Sequence, residues 1–390
     1  MSGENHIRED DILEEYDFND SNIMEDEEDE DFQDKDYRDD SIAVFLSHEQ
    51  AVLCCDLSND DKFAVTGGQD DKAIIWDVAT AVSKELLDFK DSVVAVKFNS
   101  TSKLLALADM SGNIKVLEAG TWVEKFKFEV DDIYWLLWHP LAENVLLCGT
   151  VTGDAWMWKL SDKSEKCKMF TSEGCGNNVA KIFSDGKRIA MGYDNGSVRI
   201  FDLKDSKVLH LFSDSQAHTG TVVSIDLNSD DTLLATGSTD STVKIISTTN
   251  FKVVFSIDCS PKEDNEKETT NSIESLLFCG KNLLAIGGLD GTFEIWDVSA
   301  KIKRSEKRFD SGVFKMLSDK NNSNQIFIGT LSEIFLLDIR DCVILSSKAF
   351  QILDPELTDQ FLDFAISSDS QFVIAANENQ RVSVFSFEKE

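Results

Sequence analysis

One group of side chains near the start of the chain combines residue types that enzymes use for nucleophilic catalysis. His48 precedes an apolar segment, Thr66 ends the next one, Asp70 lies in the following turn, and Trp76 lies in the segment after it. A carboxylate can orient an imidazole, and the imidazole can hydrogen-bond a hydroxyl. Here the hydroxyl can also accept from an indole N–H, so every polar group finds a partner inside the fold. We therefore interpret the group as a structural hydrogen-bond relay.

The same arrangement recurs once more. His218, Thr236 and Asp240 repeat the spacing, but Ile246 stands where a tryptophan is expected, so we expect this relay to be truncated. The sequence has no HExxH pair, no GxGxxG or GxSxG segment and no phosphate-binding loop, and its eight cysteines form no CxxC pair. We predict a protein without enzymatic activity, metal site or cofactor.

The turn that contains Asp70 has counterparts throughout the chain. Each repeat contains three short apolar segments and a fourth, more polar one, rich in the branched and aromatic residues typical of strands. A single four-stranded sheet cannot bury both of its faces and must stack on neighbours until a ring closes. We therefore predict an all-β fold, a β-propeller of eight blades, with blade 7 the weakest repeat. The turn residues, spaced by 41 to 50 positions, are Asp70, Ser111, Thr152, Asn195, Asp240, Asp290, Ser332 and Asn379.

The two ends of the chain indicate how the ring closes. Residues 41–46, SIAVFL, precede the first complete repeat, and we predict that they form the outer strand of blade 8. A frayed N-terminal strand is the alternative. Residues 1–40 hold 19 Asp or Glu against three Lys or Arg, which leaves too few apolar residues per charge to fold. We therefore predict a disordered acidic arm over residues 1–40 and a propeller over residues 41–390.

The formal net charge of -34 restricts the partners. A field of this size repels nucleic acid and anionic lipid and attracts basic proteins. We predict a basic protein client, no direct nucleic-acid binding and no membrane association. The N-terminus lacks the pattern of a signal peptide, and no apolar run approaches the roughly 18 residues that span a bilayer. We expect a cytoplasmic monomer, with a nuclear location left open.

Several acidic residues fall where the predicted topology brings them to one face of the ring. The loops before the first strand and the turns between the second and third strands of each blade emerge on this face, around the channel. One such acid alone can simply be solvated, but together they predict an acidic mouth that binds a Lys/Arg-rich segment. Trp135, on an innermost strand, is a further candidate, with packing between blades as the alternative. The acidic candidates are Asp91, Asp109, Asp131, Asp132, Glu274, Asp290 and Asp363.

The ordered series of repeats resembles WD40 repeats. The segments TGGQDDKA, ADMSG, WHPLA, WMWK, GYDNGSVRIFDLK and LDFAIS are similar to the angio-associated migratory cell protein family, over residues 41–390. That family resembles fungal WD40 ribosome-assembly chaperones, which escort a basic large-subunit ribosomal protein to pre-ribosomes. The resemblance implies a dedicated chaperone for a newly made large-subunit ribosomal protein. A cytosolic scaffold in signalling, cell migration or trafficking is the alternative that it implies.

Overall fold

The computed structural model describes residues 38–161, 166–172, 174–261, 271–349 and 360–387. Within these ranges the chain forms strands β1 to β32 and a short 3₁₀ helix, Asp214–Gln216. The strands make eight antiparallel sheets of four strands each. The predicted all-β fold with eight blades is confirmed.

The first four blades follow one another along the chain. Their strands, in order from the centre of the ring outwards, are β2 (Val52–Leu57), β3 (Phe63–Gly68), β4 (Lys72–Asp77) and β5 (Val82–Asp88) in blade 1; β6 (Val93–Phe98), β7 (Leu104–Asp109), β8 (Asn113–Glu118) and β9 (Val123–Glu129) in blade 2; β10 (Ile133–Trp138), β11 (Val145–Thr150), β12 (Ala155–Lys159) and β13 (Lys166–Phe170) in blade 3; and β14 (Asn177–Ile182), β15 (Arg188–Tyr193), β16 (Val198–Asp202) and β17 (Lys207–Phe212) in blade 4.

The remaining blades continue the pattern, and the last one draws on both ends of the chain. Their strands are β18 (Val222–Leu227), β19 (Leu233–Ser238), β20 (Thr242–Ser247) and β21 (Lys252–Asp258) in blade 5; β22 (Ser275–Cys279), β23 (Leu283–Gly287), β24 (Thr292–Asp297) and β25 (Ile302–Arg308) in blade 6; β26 (Val313–Ser318), β27 (Gln325–Thr330), β28 (Glu333–Asp338) and β29 (Val343–Ala349) in blade 7; and β30 (Phe361–Ile366), β31 (Phe372–Asn377), β32 (Arg381–Ser386) and β1 (Ser41–Leu46) in blade 8.

The ring is closed by β1, as the sequence predicts. This strand pairs antiparallel with β32, with Leu46 opposite Arg381 and Ser41 opposite Phe385. The innermost strands contact one another around the whole ring, including β2 with β30 across the closing seam. Side chains also pack across the seam, where Phe45 stacks on Trp76 with ring centroids 4.6 Å apart and both are buried. Closure therefore covers the two blade faces that a linear stack would leave exposed at its ends.

Residues 38–40 belong to the propeller and not to the arm. The backbone N–H of Asp40 donates to the carbonyl of Ala349 at the end of β29, 3.1 Å away, and the N–H of Ala349 donates to Asp40 Oδ2 over 3.0 Å. Arg38 donates to the carbonyl of Ser347 in the same strand. The propeller thus begins three residues before the predicted boundary. The rest of the predicted arm, residues 1–37, lies outside the described residues.

Antiparallel order gives the ring two distinct faces. The mouth face carries the loops before the innermost strands and the turns between the second and third strands. We call the other side of the ring the opposite face. The three inner strands of a blade are mostly buried, whereas outer strands such as β25 are largely exposed. No helix among the described residues is long and apolar enough to cross a membrane.

Candidate functional site

The first relay is complete in the structure. The indole N–H of Trp76 donates to the hydroxyl oxygen of Thr66 over 3.0 Å, and this hydroxyl lies 2.8 Å from Nε2 of His48. Nδ1 of His48 lies 3.0 Å from a carboxylate oxygen of Asp70. Burial lowers the pKa of His48 although Asp70 opposes the shift, so the imidazole is neutral and donates from Nδ1. All four side chains are inside the blade, where the hydroxyl cannot reach a substrate.

The second relay uses a residue that the sequence pattern does not indicate. Nε2 of His218 lies 2.9 Å from the Thr236 hydroxyl, but Nδ1 contacts the hydroxyl of Thr242 at 2.8 Å and is 3.4 Å from Asp240. Thr242 in turn donates to Asp240 over 2.6 Å. Burial alone would raise the pKa of Asp240, but hydrogen bonds from His218 and Thr242 hold it well below its usual value. Ile246 is buried and ends the relay as expected.

Five of the seven predicted acids lie at the surface of the mouth face. Asp131 and Asp132, just before β10, are exposed, and Asp131 accepts a hydrogen bond from Thr152. Asp91, Glu274 and Asp290 are partly buried and accept short-range hydrogen bonds from Ser92, Ser272 and Thr292, respectively. These bonds hold the carboxylates in place at the surface and leave them accessible in part.

Asp109 and Trp135 do not lie at this surface, so we remove them from the candidate binding residues. Asp109 is fully buried, and its carboxylate accepts hydrogen bonds from Ser111 and from the backbone and side chain of Asn113. Trp135 is buried between blades 3 and 4 and donates to Asn177 Oδ1 over 3.1 Å. It also covers Gly149, where a Cβ would lie 2.2 Å from the indole. Both residues stabilise the ring.

Asp363 lies in the wall of the channel and joins three blades. Its Oδ1 accepts from the ammonium of Lys315 in blade 7 at 2.5 Å, and its Oδ2 accepts from the backbone N–H of Cys55 in blade 1 at 3.0 Å. Burial alone would raise the pKa of this carboxyl, but Lys315, Lys97 and the Cys55 N–H hold it below its usual value. Asp363 is therefore a structural residue at the closing seam.

A rim of eight residues surrounds the mouth at one repeated position that the sequence analysis missed. In each blade the residue just before the aligned turn residue donates its backbone N–H to a carbonyl in the loop before the innermost strand, over 2.8 to 3.1 Å. The rim holds two exposed acids and no Lys or Arg, and Met110, Val151 and Leu289 are exposed apolar members. In every repeat this position lies one residue before the aligned turn residue. The rim consists of Gln69, Met110, Val151, Asp194, Thr239, Leu289, Leu331 and Glu378.

Some of the acids lie beside an exposed aromatic ring at blades 3 and 4. Tyr134, the second residue of β10, is 47% exposed and lies two residues after Asp132. Asp194 on the rim accepts from Asn178 over 2.6 Å, and a Cβ on Gly176 would approach both Asp194 and Tyr134. The surface combines negative charge with exposed aromatic and aliphatic groups, as a binding site for a basic, partly apolar peptide requires. Among the described residues, no three His, Cys, Asp or Glu side chains are grouped to hold a metal ion.

Comparison with known proteins identifies the repeats and the family. The model of the WD domain, G-beta repeat, matches residues 39–77 and 207–247, the segments that contain the two relays. The angio-associated migratory cell proteins of human and dog are each 34% identical over 356 residues, which is 89% of this chain and 80% of theirs. The ribosome assembly protein SQT1 of Saccharomyces cerevisiae is 24% identical over 340 residues, which is 78% of this chain and 76% of that protein.

Solved structures share the fold. The crystal structure of Saccharomyces cerevisiae Sqt1 superposes with a TM-score of 0.80 at 18% identity, over 90% of this chain and 100% of that one. Chaetomium thermophilum Sqt1, bound to the N-terminus of the ribosomal protein L10, gives a TM-score of 0.79 at 18% identity with the same coverage. With 34% identity over most of both sequences, and with WD40 repeats closed into eight blades, the chain belongs to the angio-associated migratory cell protein family.

Proposed function

We propose that this protein is a non-enzymatic chaperone for a newly made large-subunit ribosomal protein. It binds a basic segment of that client on the mouth face and delivers the client to pre-ribosomes. Two relatives support the proposal, the ribosome assembly protein SQT1 and the Sqt1 structure that holds the N-terminus of ribosomal protein L10. The observation on this chain that carries it is the set of acids at the surface of the mouth face, with a rim that has no Lys or Arg.

The chemistry of the mouth fits a basic segment better than an acidic one. Asp132 and Asp194 are exposed beside Tyr134, so a Lys or Arg side chain can pair with a carboxylate while its aliphatic stem packs on the ring. Exposed ion pairs are individually worth about 0 to 1 kcal/mol. Several acids acting together chiefly raise the association rate and select against acidic partners.

The test is the binding of a fluorescent peptide that carries the N-terminal residues of a large-subunit ribosomal protein of the L10 type. Asp132→Lys and Glu274→Lys each replace an attraction with a repulsion, and we expect each to weaken binding by about tenfold or more. Asp205→Lys is the matched control, because Asp205 is an exposed acid in the turn between β16 and β17 on the opposite face. Circular dichroism checks that each variant is folded.

Salt provides a second readout of the same site. Since exposed charges are screened over about 8 Å at physiological ionic strength, association should slow as salt rises. Wild-type affinity in both mouth variants, or an equal loss in Asp205→Lys, would place the client elsewhere. No binding of the basic peptide by the wild-type protein would favour a scaffold role in signalling, cell migration or trafficking.

A further inference from the structure

The channel also opens on the opposite face, where blades 1, 2, 7 and 8 line an open cavity of about 350 Å³. Its walls are the last residues of the innermost strands and the turns that follow them, including Asp56 and Asn59 in blade 1 and Ser100 in blade 2. The cavity is thus at the other end of the channel from the acidic mouth. Its volume lies in the lower part of the range of small-molecule sites.

Lysines dominate the charge of this cavity in a protein that is otherwise strongly acidic. Lys97, Lys315 and Lys320 line it, and Asp56 is the one carboxylate among the described lining residues. Asp363 pairs with Lys315 but is not part of the lining. The cavity wall therefore carries an excess of positive charge.

Each of the three ammonium groups has donor capacity left for a ligand. An ammonium group offers three N–H donors. Lys315 donates to Asp363 and to the carbonyl of Phe364, and Lys320 donates to the carbonyl of Ile366 over 2.9 Å. Lys97 lies 4.0 Å from Asp56 Oδ1, too far for a hydrogen bond.

Asp56 offsets only one of the three lysine charges in the lining. Its other oxygen, Oδ2, accepts the backbone N–H of Phe98 over 2.7 Å and so ties blade 1 to blade 2. Burial alone would lower the pKa of Lys97, but the carboxylates of Asp56 and Asp363 raise it, so Lys97 is protonated at neutral pH.

We propose that this cavity binds a small, polyvalent oxyanion of the phosphate class. Three lysine side chains that line one cavity match the several oxygen acceptors of such an anion. The size of the cavity and the net charge of -34 select against a long polyanion, because the acidic surface around the site repels its remaining charges. The site takes a small phosphate compound and not a nucleic-acid backbone.

The experiment is calorimetric titration of the full chain with inorganic phosphate, pyrophosphate and tripolyphosphate, at an ionic strength held constant with sodium chloride. We expect saturable binding of one anion per chain that strengthens along this series, and weaker binding of citrate, which distinguishes phosphate from carboxylate ligands. Lys320→Met should weaken tripolyphosphate binding about tenfold or more, because a charge-assisted hydrogen bond is lost. Lys62→Met is the control, since Lys62 is exposed on the same face and outside the cavity.

Asp56→Asn should change the affinity for tripolyphosphate in the opposite direction, so it separates an effect on binding from an effect on folding. The amide keeps an oxygen for the Phe98 N–H but removes the carboxylate from the lining, so tripolyphosphate should bind more tightly than to the wild-type protein. A destabilised protein would not produce that gain. Heat signals that do not saturate, equal losses in Lys320→Met and Lys62→Met, or unchanged affinity in Asp56→Asn would each overturn the proposal. If single-stranded RNA bound as tightly as tripolyphosphate, the ligand of this cavity would be a nucleic acid and not a small anion.

Discussion

Removal of the Asp363 carboxylate should destabilise the ring at its closing seam. This carboxylate accepts from the Lys315 ammonium, the Cys55 N–H and the Phe364 N–H at 2.5, 3.0 and 2.9 Å. Its side chain is 16% exposed and that of Lys315 is 26% exposed, so water screens the pair only in part. In Asp363→Ala the ammonium keeps the carbonyl of Phe364 as its partner, and the buried Cys55 N–H loses its acceptor.

The size of the loss follows from these contacts. Removing one partner of a buried ion pair costs about 3 to 5 kcal/mol, and an unsatisfied buried N–H costs about 1 to 3 kcal/mol. The two effects share one carboxylate and do not simply add, so we expect about 3 to 5 kcal/mol for Asp363→Ala. Asp363→Asn keeps an oxygen for Cys55 and should lose less. The double variant Asp363→Leu, Lys315→Met should recover most of the loss, because it removes both charges together.

Urea unfolding followed by tryptophan fluorescence measures these differences. Asp226→Ala removes a carboxylate with the same kinds of partner away from the seam. Asp226 accepts from the Lys181 ammonium and from the Phe278 N–H, both at 2.7 Å. Asp132→Ala, at an exposed position, should stay within about 0.5 kcal/mol of the wild-type protein. If Asp363→Ala unfolded like the wild-type protein but lost client binding, Asp363 would return to the candidate binding site.

Further expectations concern pH, closure and the relays. Since the pKa of Asp363 is lowered in the folded state, its contribution to stability is complete above the unfolded value of about 4, and it is lost as pH falls through the folded pKa. A urea midpoint that changes with acid equally in wild type and Asp363→Asn would contradict this. Removal of residues 1–37 should leave the melting temperature nearly unchanged, whereas removal of residues 1–47 takes away β1 and exposes β32, so equal melting temperatures would argue against this closure. Asp70→Ala and Asp240→Ala should each lower the free energy of unfolding by about 1 to 3 kcal/mol, because each carboxylate holds a buried relay and Thr242 keeps the second relay connected. A loss under about 0.5 kcal/mol at either site would show that its relay is not needed for stability. The imidazole of His48 should titrate below 6.5 in proton NMR, since burial disfavours its charged form, and a value above 6.5 would mean that Asp70 outweighs burial.

The relays were predictable because both rest on short sequence separations. His48, Thr66 and Asp70 fall at the ends of neighbouring segments, so an antiparallel pairing alone brings them together. Thr242 was missed because its contact with His218 depends on the conformation of the turn around Ser241, which has a φ of 66°. Spacing predicts which segments meet, and turn geometry decides which atoms do.

Five of the seven predicted acids lie at the surface of the mouth face, and the sequence analysis missed the acids of the rim. The rim residues Asp194 and Glu378 precede aligned turn residues, so the repeats could have located them. The burial of Asp109 could not be read from its position, since it results from the Asn113 side chain that folds over its carboxylate. An acidic residue at a turn can face either solvent or its own turn, and the local sequence does not predict which orientation it adopts.

The all-β class, the eight repeats, closure by β1 and the strong negative charge were predictable because each of these follows from periodicity or composition. Which charges are paired depends on contacts between blades. Asp363 and Lys315 are distant from Cys55 along the chain and meet it only when the ring closes. The same closure brings Lys97, Lys315 and Lys320 to one cavity. Contacts between blades join residues whose separation carries no periodic signal, so an acid or a lysine acquires its role only from the neighbouring blade.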